Sequence, residues 1–360
     1  LPALRACEAA RTTATPLDWS NELVAHVVET KNVAPTPAIE SLPHAFADAL
    51  REANNVLATM DACLMPTAMH PWMDPATETV LWDDATDVYR TYDRIYGCRG
   101  HGWANLQSMH VNLPFADDSQ FARLHAATRL VLPLLPALAA SSPIAEGLVT
   151  EFLDFRLDAY YAICALTPRV AGEVIPETVE SRAEYEARVL TPMYDEIAPH
   201  DPAGVLRHEW LNSRGAIPRF DRDALEIRLI DVQECPLADL SIAAAAVTVI
   251  HWLYAERSAS LADQQAQQTS LLAGVLRTTI READEAIVDN VPYLRALGIC
   301  ATRCSAGDAW RVLLDASAHD SALAGAWWRP ALDMILAQGP LARRIVRATD
   351  AAGRGIADAG

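Results

Sequence analysis

The sequence predicts an α+β fold in which long helices surround a few strands. Residues 107–113 and 224–231 alternate apolar and polar side chains with period two, as half-buried strands do. Helical periodicity covers most of the remaining chain, and 51% of its 360 residues are hydrophobic, enough for a large core. The strands lie far apart in sequence, which is not the regular strand–helix alternation of a doubly wound sheet.

The order of the predicted elements follows from periodicity and from start and stop signals. Residues 1–20 form no clear element, and residues 22–30 are an apolar run that predicts a strand. A helix over 36–61, a short strand over 64–69 and a loop-rich stretch over 71–96 come next. The first site strand lies near 103–113. Further helices are predicted over residues 117–140, 145–166, 182–197, 237–257, 263–289, 308–316 and 327–347. We expect one catalytic domain spanning residues 1–360.

Composition excludes several classes of partner. The formal net charge of −18 disfavours binding to nucleic acid or to acidic membranes. The most apolar runs, residues 130–140 and 240–253, are too short or too interrupted by proline to cross a bilayer. The seven cysteines include no CxxC pair, which indicates free thiols in a reducing compartment. We therefore expect a cytoplasmic protein.

The two alternating segments carry candidate site residues on their polar faces. In the first segment, Ser108, His110 and Asn112 oppose three apolar residues. In the second, Glu226 and Arg228 oppose Leu225, Ile227 and Leu229. A single histidine on a strand is usually a satisfied structural residue, but a fully apolar opposite face favours a site. Imidazole, carboxylate and guanidinium groups bind divalent metals and phosphate.

Arginines are concentrated just before the second segment. Five of them fall within 22 residues of an acidic chain: Arg207, Arg214, Arg219, Arg222 and Arg228. One interpretation is a solvated ion-pair network. The other is a phosphate cradle beside a metal-binding carboxylate, because the planar guanidinium pairs bidentately with phosphate and Mg²⁺ prefers carboxylates with substrate phosphates.

Five segments, in the same order, resemble the glutamate–cysteine ligase family in its second bacterial class. They are Glu22-Leu23-Val24-Ala25-His26-Val27-Val28-Glu29-Thr30, the turn His70-Pro71, Met109-His110-Val111-Asn112, Ser141-Ser142-Pro143-Ile144-Ala145-Glu146-Gly147, and residues 214–220 running into 225–231. Together they span residues 22 to about 250, and their joint order is more specific than any single motif.

The resemblance implies a glutamine-synthetase-like fold, in which a curved antiparallel sheet forms a funnel-shaped site with helices packed on its outer face. It implies ATP, Mg²⁺ or Mn²⁺, and a carboxylate–amine ligase that joins a small-molecule acid to an amine, both expected to be amino acids. By the same resemblance, Glu29, His110 and Glu226 match metal-binding positions. Arg228 matches the arginine near the transferred phosphoryl group, and Arg214 and Arg219 match basic positions near nucleotide or acyl phosphate.

The chain departs from the family pattern at its start. The family opens with a Gly-x-Glu-x-Glu strand, whereas residues 1–20 contain only Glu8 and Asp18 as acids. We expect that the opening strand is missing from the sequence; the alternative is a degraded site. A catalytically inactive binding protein and a phosphotransferase on the same fold therefore stay open as alternatives to the ligase. The aromatic late helices (Trp310, Trp327, Trp328) and the habit of related enzymes predict a homodimer.

Overall fold

Helices make up most of the fold, as the periodicity predicts. The computed structural model describes residues 16–37, 39–82, 86–163, 165–318 and 327–351. The described strands are β1 Leu17–Asn21, β2 Val28–Asn32, β3 Ser108–Pro114, β4 Ile144–Ala145, β5 Leu148–Val149, β6 Ala216–Arg219, β7 Ala224–Asp231, β8 Ile287–Val288 and β9 Cys304–Ser305.

The described α-helices follow in chain order. They are α1 Leu42–Ala58, α2 Pro75–Glu78, α3 Asp87–Tyr96, α4 His101–Ala104, α5 Asp118–Val131, α6 Pro136–Ala139, α7 Phe155–Ala162, α8 Pro168–Ala171, α9 Arg182–Tyr185, α10 Thr191–Ile197, α11 Pro236–Tyr254, α12 Leu261–Gln265, α13 Thr269–Glu282, α14 Val291–Ala296, α15 Ala306–Ser317, α16 Arg329–Gln338 and α17 Leu341–Ala351. A π-helical segment, Glu186–Leu190, joins α9 to α10.

The central sheet joins the two alternating segments. Its order is β3-β7-β6 and both pairings are antiparallel. Asn112 on β3 lies opposite Glu226 on β7, so the polar faces of the two strands coincide. The register shifts between Met109 and Val111, which marks an irregularity at His110. Such bulges are common beside active sites because they re-aim a side chain.

Helices cover the apolar face of this sheet. Both α5 and α6 contact β7, and α11 packs against α5. Leu225, Ile227 and Leu229 are buried in the main hydrophobic cluster. This layering agrees with the predicted α+β class. The described strands form four separate antiparallel sheets, none of them closed, so the funnel shape stays a prediction.

The predicted strand over residues 22–30 is wrong as one element. The chain pairs β1 with β2 as a hairpin, and residues 22–27 connect them. Leu17 and Trp19 on β1 are buried against α1, which gives the hairpin its own small core. Val24, in the segment that connects the two strands, is also buried, and it forms an isolated β-bridge with Leu81. A short apolar run does not reveal by itself whether it is a strand.

The predicted strand over residues 64–69 is also wrong. This segment belongs to none of the described sheets, and Thr67 within it has a positive φ. The Ala68 amide donates to the Ser141 hydroxyl at 3.0 Å, and the Ala68 carbonyl accepts from the Gln107 amide at 2.8 Å. The backbone groups of Ala68 are thus satisfied by isolated tertiary contacts instead of a strand ladder.

Several predicted helix boundaries need correction for backbone reasons. The loop-rich stretch 71–96 contains α2 and α3. The helix predicted over 145–166 shrinks to α7, because Glu146 and Gly147 adopt positive φ and turn the chain into the β4–β5 hairpin. The helix predicted over 327–347 divides into α16 and α17 at Gly339, also at positive φ. The one predicted over 263–289 divides into α12 and α13.

Helix α11 is the one described helix long and apolar enough to cross a membrane by length and composition. It extends beyond the apolar run of residues 240–253. Two thirds of its apolar window (67%) is buried inside the molecule. Core helices of globular proteins have this same character.

Candidate functional site

Glu226 is the centre of the polar face. Its side chain is 8% exposed and three basic groups surround it. His110 Nδ1 and Arg228 Nε each lie 3.6 Å from Glu226 Oε1, and Arg219 Nη1 donates to Oε2 at 3.1 Å. The structure thus brings four of the six predicted site residues together around one carboxylate.

His110 is held as a neutral imidazole. Its Nε2 lies 2.9 Å from the Ser108 hydroxyl, and either atom can be the donor. Loss of water around the ring, together with the positive charge of Arg228, lowers the pKa of His110 to about 4. At neutral pH the ring is therefore uncharged, and neutral imidazole is the form of histidine that binds metal.

Arg228 is fixed at both ends of its guanidinium group. Besides the approach to Glu226, its Nη1 donates to the Asn212 carbonyl at 3.2 Å. Its backbone amide donates to the Gly215 carbonyl at 2.9 Å. A Cβ at position 215 would lie 2.6 Å from Leu229, so only glycine allows this close approach. The arginine is therefore preorganised on the sheet.

Glu29 reaches the same region from the β1–β2 hairpin. Its Oε2 accepts from Lys31 Nζ at 2.8 Å and from the Ser20 hydroxyl. Burial alone would raise the pKa of Glu29, but these hydrogen bonds outweigh it and hold the pKa below its usual value. The charge of Glu29 also acts on the pKa of His110, so the two side chains share one electrostatic site.

Sequence reasoning missed Glu22. Burial and the charge of Glu29 raise the pKa of Glu22, while the Leu23 backbone hydrogen bond and the charges of Arg228 and Lys31 oppose that rise. Glu22 therefore belongs to the same site as Glu29. The sequence carried a signal for it, since Glu22 opens the same motif-like segment that Glu29 closes. Its closeness to Arg228 is a tertiary feature that no local pattern reveals.

Arg214 lies apart from the carboxylate of Glu226. Its guanidinium pairs bidentately with Glu177, at 2.6 and 2.7 Å, and also donates to the Arg169 carbonyl and the Asn212 side chain. Its side chain is 3% exposed. In this structure Arg214 braces the residue whose carbonyl binds Arg228, and a nucleotide contact for it stays a prediction.

The other motif segments support the end of β7. Asp231, its last residue, accepts from the Ser141 amide at 2.8 Å, from the Ser142 hydroxyl at 3.0 Å and from Arg156 Nε. All four side chains are buried. The serines of the Ser141-Ser142-Pro143 motif thus bind the strand that carries Glu226 and Arg228.

His70 has a structural partner in its turn. Its amide donates to the Asn105 side chain at 2.7 Å and its carbonyl accepts from the same side chain at 3.0 Å. Its Nδ1 accepts from the Met73 amide at 3.1 Å. The imidazole therefore stabilises the turn through local hydrogen bonds.

An aromatic wall borders the arginine side of the site. The Tyr92 ring lies 5.2 Å from Trp103 and 6.1 Å from Trp210 between centroids, and Trp103 stacks on Tyr96 at 5.1 Å. Tyr92 also lies close enough to act on the pKa of Arg228. These rings come from α3, α4 and the segment near residue 210.

The donor set fits a divalent metal by its chemistry. Carboxylates and a neutral imidazole are ligands that Mg²⁺ and Mn²⁺ accept. Burial raises the pKa of Glu22 most and the charge of Glu29 adds to that rise, and a nearby divalent cation would oppose both effects. Within the described ranges, however, no three His, Cys, Asp or Glu side chains are arranged to hold a metal ion. Shared ligation by Glu29, His110 and Glu226 therefore stays a prediction.

Comparison with protein families assigns the chain. The model of glutamate–cysteine ligase family 2 matches residues 5–351, nearly its whole length. The chain belongs to glutamate–cysteine ligase family 2. The family resemblance seen in the sequence is thereby confirmed.

Individual relatives are similar over part of their length. A protein of Archaeoglobus fulgidus named "Uncharacterized protein" is 35% identical over 224 residues, which are 62% of this chain and 60% of the relative. A protein of Bradyrhizobium diazoefficiens named "Putative glutamate--cysteine ligase 2" is 28% identical over 200 residues, 55% of this chain and 41% of the relative. One from Bradyrhizobium sp. strain ORS 278 with the same name is 27% identical over 203 residues, 55% and 43%. This member of the family thus spans about half the length of the curated relatives it matches.

Proposed function

We propose that the protein is an ATP-dependent carboxylate–amine ligase that forms an amide through an acyl phosphate. One observation carries the proposal: a single buried carboxylate, Glu226, lies within 3.6 Å of His110, Arg219 and Arg228 on the polar face of the central sheet. Family membership and the names of the Bradyrhizobium relatives support a ligase of this kind.

The chemistry explains why such a site is needed. A carboxylate does not condense with an amine at neutral pH, because its oxygen is a poor leaving group. Transfer of the γ-phosphoryl group of ATP to the carboxylate gives an acyl phosphate and ADP. The amine nitrogen then attacks the acyl carbon, and phosphate leaves with the C–O bonding electrons. The site must therefore neutralise a moving phosphoryl group and keep water from the acyl phosphate.

Each requirement has candidate residues. Glu29, His110 and Glu226, with Glu22 beside them, would hold Mg²⁺ or Mn²⁺, which supplies charge neutralisation at the phosphates. Arg228 offers a fixed guanidinium toward the transferred group, and Arg219 adds a second positive charge on the same face. The aromatic wall of Tyr92, Trp103 and Trp210 limits the access of water.

Release of ADP tests the proposal. With ATP and Mg²⁺, we expect ADP only when an acid and an amine are both present, and glutamate with cysteine is the first pair to test because the names of the relatives state it. A screen of amino acids, singly and in pairs, covers other substrates. Glu226→Gln should abolish the release, and Asp308→Asn, in an exposed ion pair far along the chain, is the control.

The alternatives give different results in the same assay. ADP release with one substrate alone indicates a phosphotransferase and contradicts the ligase. Binding of nucleotide without ADP release from any pair indicates a binding protein.

A further inference from the structure

Lys31 is the only lysine of the chain. The other 28 of its 29 lysine and arginine residues are arginines. Lys31 follows Glu29 by two residues on β2, so the two side chains point to the same face of the hairpin. Its ammonium lies 2.8 Å from Glu29 Oε2 and 2.8 Å from the Ser20 hydroxyl. The one lysine of the chain is thus ion-paired with a carboxylate that is a candidate metal ligand.

This ion pair contributes little to folding. The two side chains are 47% and 38% exposed, and pairs of this kind are worth about 0–1 kcal/mol. The hairpin is held instead by five paired residues on each strand and by buried Leu17 and Trp19. The main consequence of the pair is therefore electrostatic, because it places a removable positive charge on Glu29.

Lysine is better suited than arginine to be a cation that exchanges between two partners. An arginine would bind the carboxylate through a planar fork with two parallel hydrogen bonds. An ammonium is a compact point charge on a flexible stem, and it also binds phosphate oxygens. A lysine can therefore leave a carboxylate and reach a nearby anion.

We propose that Lys31 neutralises Glu29 until a divalent metal displaces it, and that the released ammonium then contacts a phosphate group of the nucleotide. This inference rests on the proposed function, because it takes Glu29 as a metal-binding residue. It adds a nucleotide-binding residue that the sequence motifs did not indicate. It also predicts effects of opposite sign on metal binding and on nucleotide binding.

Binding measurements on the full chain test both effects without any amide formation. In the absence of nucleotide, Lys31→Gln should tighten Mn²⁺ binding roughly two- to fivefold, measured by electron paramagnetic resonance of free Mn²⁺, because no ion pair has to be broken. With Mg²⁺ present, the same variant should bind the non-hydrolysable analogue adenylyl imidodiphosphate roughly tenfold more weakly, since one charged hydrogen bond is lost.

Arg90→Gln is the matched control. It removes one positive charge from an exposed ion pair with Asp87 on α3, the helix that carries Tyr89 beside the site. We expect neither affinity to change in this variant. Equal changes in both variants would indicate a general effect of removing one positive charge, and would overturn the inference.

The other outcomes are also decisive. Unchanged or weaker Mn²⁺ binding by Lys31→Gln, or unchanged nucleotide binding, overturns the role of Lys31. If Lys31→Gln shows both effects but the wild-type chain releases no ADP with any acid–amine pair, the role of Lys31 is supported and the ligase is contradicted.

Discussion

At Glu226, two arginines and a neutral imidazole share one carboxylate, so small changes in geometry redistribute the charge of the whole site. Arg228 depends most on its shape, since one edge of its guanidinium faces Glu226 and another nitrogen binds the Asn212 carbonyl. A single ammonium cannot occupy both positions. Arg228 therefore offers a direct test of the proposed phosphoryl transfer.

We expect Arg228→Lys to lower turnover on the order of a hundredfold, as loss of one electrostatic transition-state stabiliser does, with little change in ATP affinity. Steady-state kinetics of ADP release measure both quantities. Arg222→Lys, at an exposed arginine near the same strands, should keep normal turnover. If Arg228→Lys keeps normal turnover and only the affinity for the acid falls, the residue anchors the substrate carboxylate instead.

Asp239 provides a pH-dependent test outside the site. Burial and the nearby charge of Glu234 raise the pKa of Asp239 to about 7, although its Oδ1 accepts from the Gln233 amide. Because the folded pKa lies above the unfolded value, the stability present below about pH 4 is lost as pH rises through 7.

The isosteric change Asp239→Asn should remove this loss. We expect the variant to gain about 1 kcal/mol or more over wild type at pH 8 and little at pH 4.5, measured by thermal unfolding at both pH values. Equal shifts at the two pH values would show that Asp239 ionises normally in the folded protein.

At the scale of elements, β7 is anchored where it ends. Asp231 receives the Ser141 and Ser142 donors and pairs with Arg156, a guanidinium that is 2% exposed. Burial and the charge of Asp231 raise the pKa of neighbouring Asp154 well above its usual value. This arrangement fixes the register of the strand that presents Glu226.

Asp231→Asn should lower the free energy of unfolding by about 3 kcal/mol, because it leaves Arg156 buried without its charged partner. Adding Asp154→Asn should lower it further, since the second carboxyl is then unable to ionise and replace the first. Denaturant unfolding measures both changes. Asp308→Asn, in the exposed pair with Arg311, should stay within about 0.5 kcal/mol of wild type.

The sequence predicted the elements whose local pattern agrees with their environment. Alternation revealed β3 and β7 and the two faces they present. It failed for β1, whose five residues include Asp18 and Asn21 and whose burial depends on α1. It also failed for residues 145–154, where positive φ at Glu146 and Gly147 reverses the chain.

The site was predictable where its residues share one sheet face and unpredictable where their partners are tertiary. His110, Glu226 and Arg228 follow from period two together with the pairing of β3 and β7. Arg214 lies close to them in sequence, yet Glu177, 37 residues earlier, binds it in a buried network. Glu22 lies close to Glu29 only because the chain reverses direction in the β1–β2 hairpin.

At the scale of the whole molecule, charge is the dominant feature. With 47 acidic and 29 basic residues, the folded chain repels itself, and salt should screen that repulsion. We expect the midpoint of thermal unfolding to rise by roughly 2–5 °C between 0.05 and 1 M KCl, equivalent to about 1.5–4 kcal/mol for a chain of this length. A fall over that range would show that screening of its many ion pairs outweighs the relief of repulsion.

The predicted homodimer remains to be measured. Trp310 and Trp328, two of the residues that suggested it, are buried inside the chain, and Trp310 donates to the Leu134 carbonyl. The described surface instead exposes Trp72, Leu148 and Val149. We expect a dimer mass by light scattering at micromolar concentration, and a monomer mass throughout that range would contradict the prediction.

Because the sequence contains one lysine, Lys31 is a natural site for selective chemical labelling. An amine-reactive dye applied to this chain has one side chain to modify, and that side chain is 47% exposed next to Glu29. Apart from the terminal amine, the label would therefore report from the edge of the candidate site without any engineered cysteine. Protection of that amine by added nucleotide would be readable by peptide mass spectrometry, and a protease that cleaves after lysine would cut the chain at this position alone.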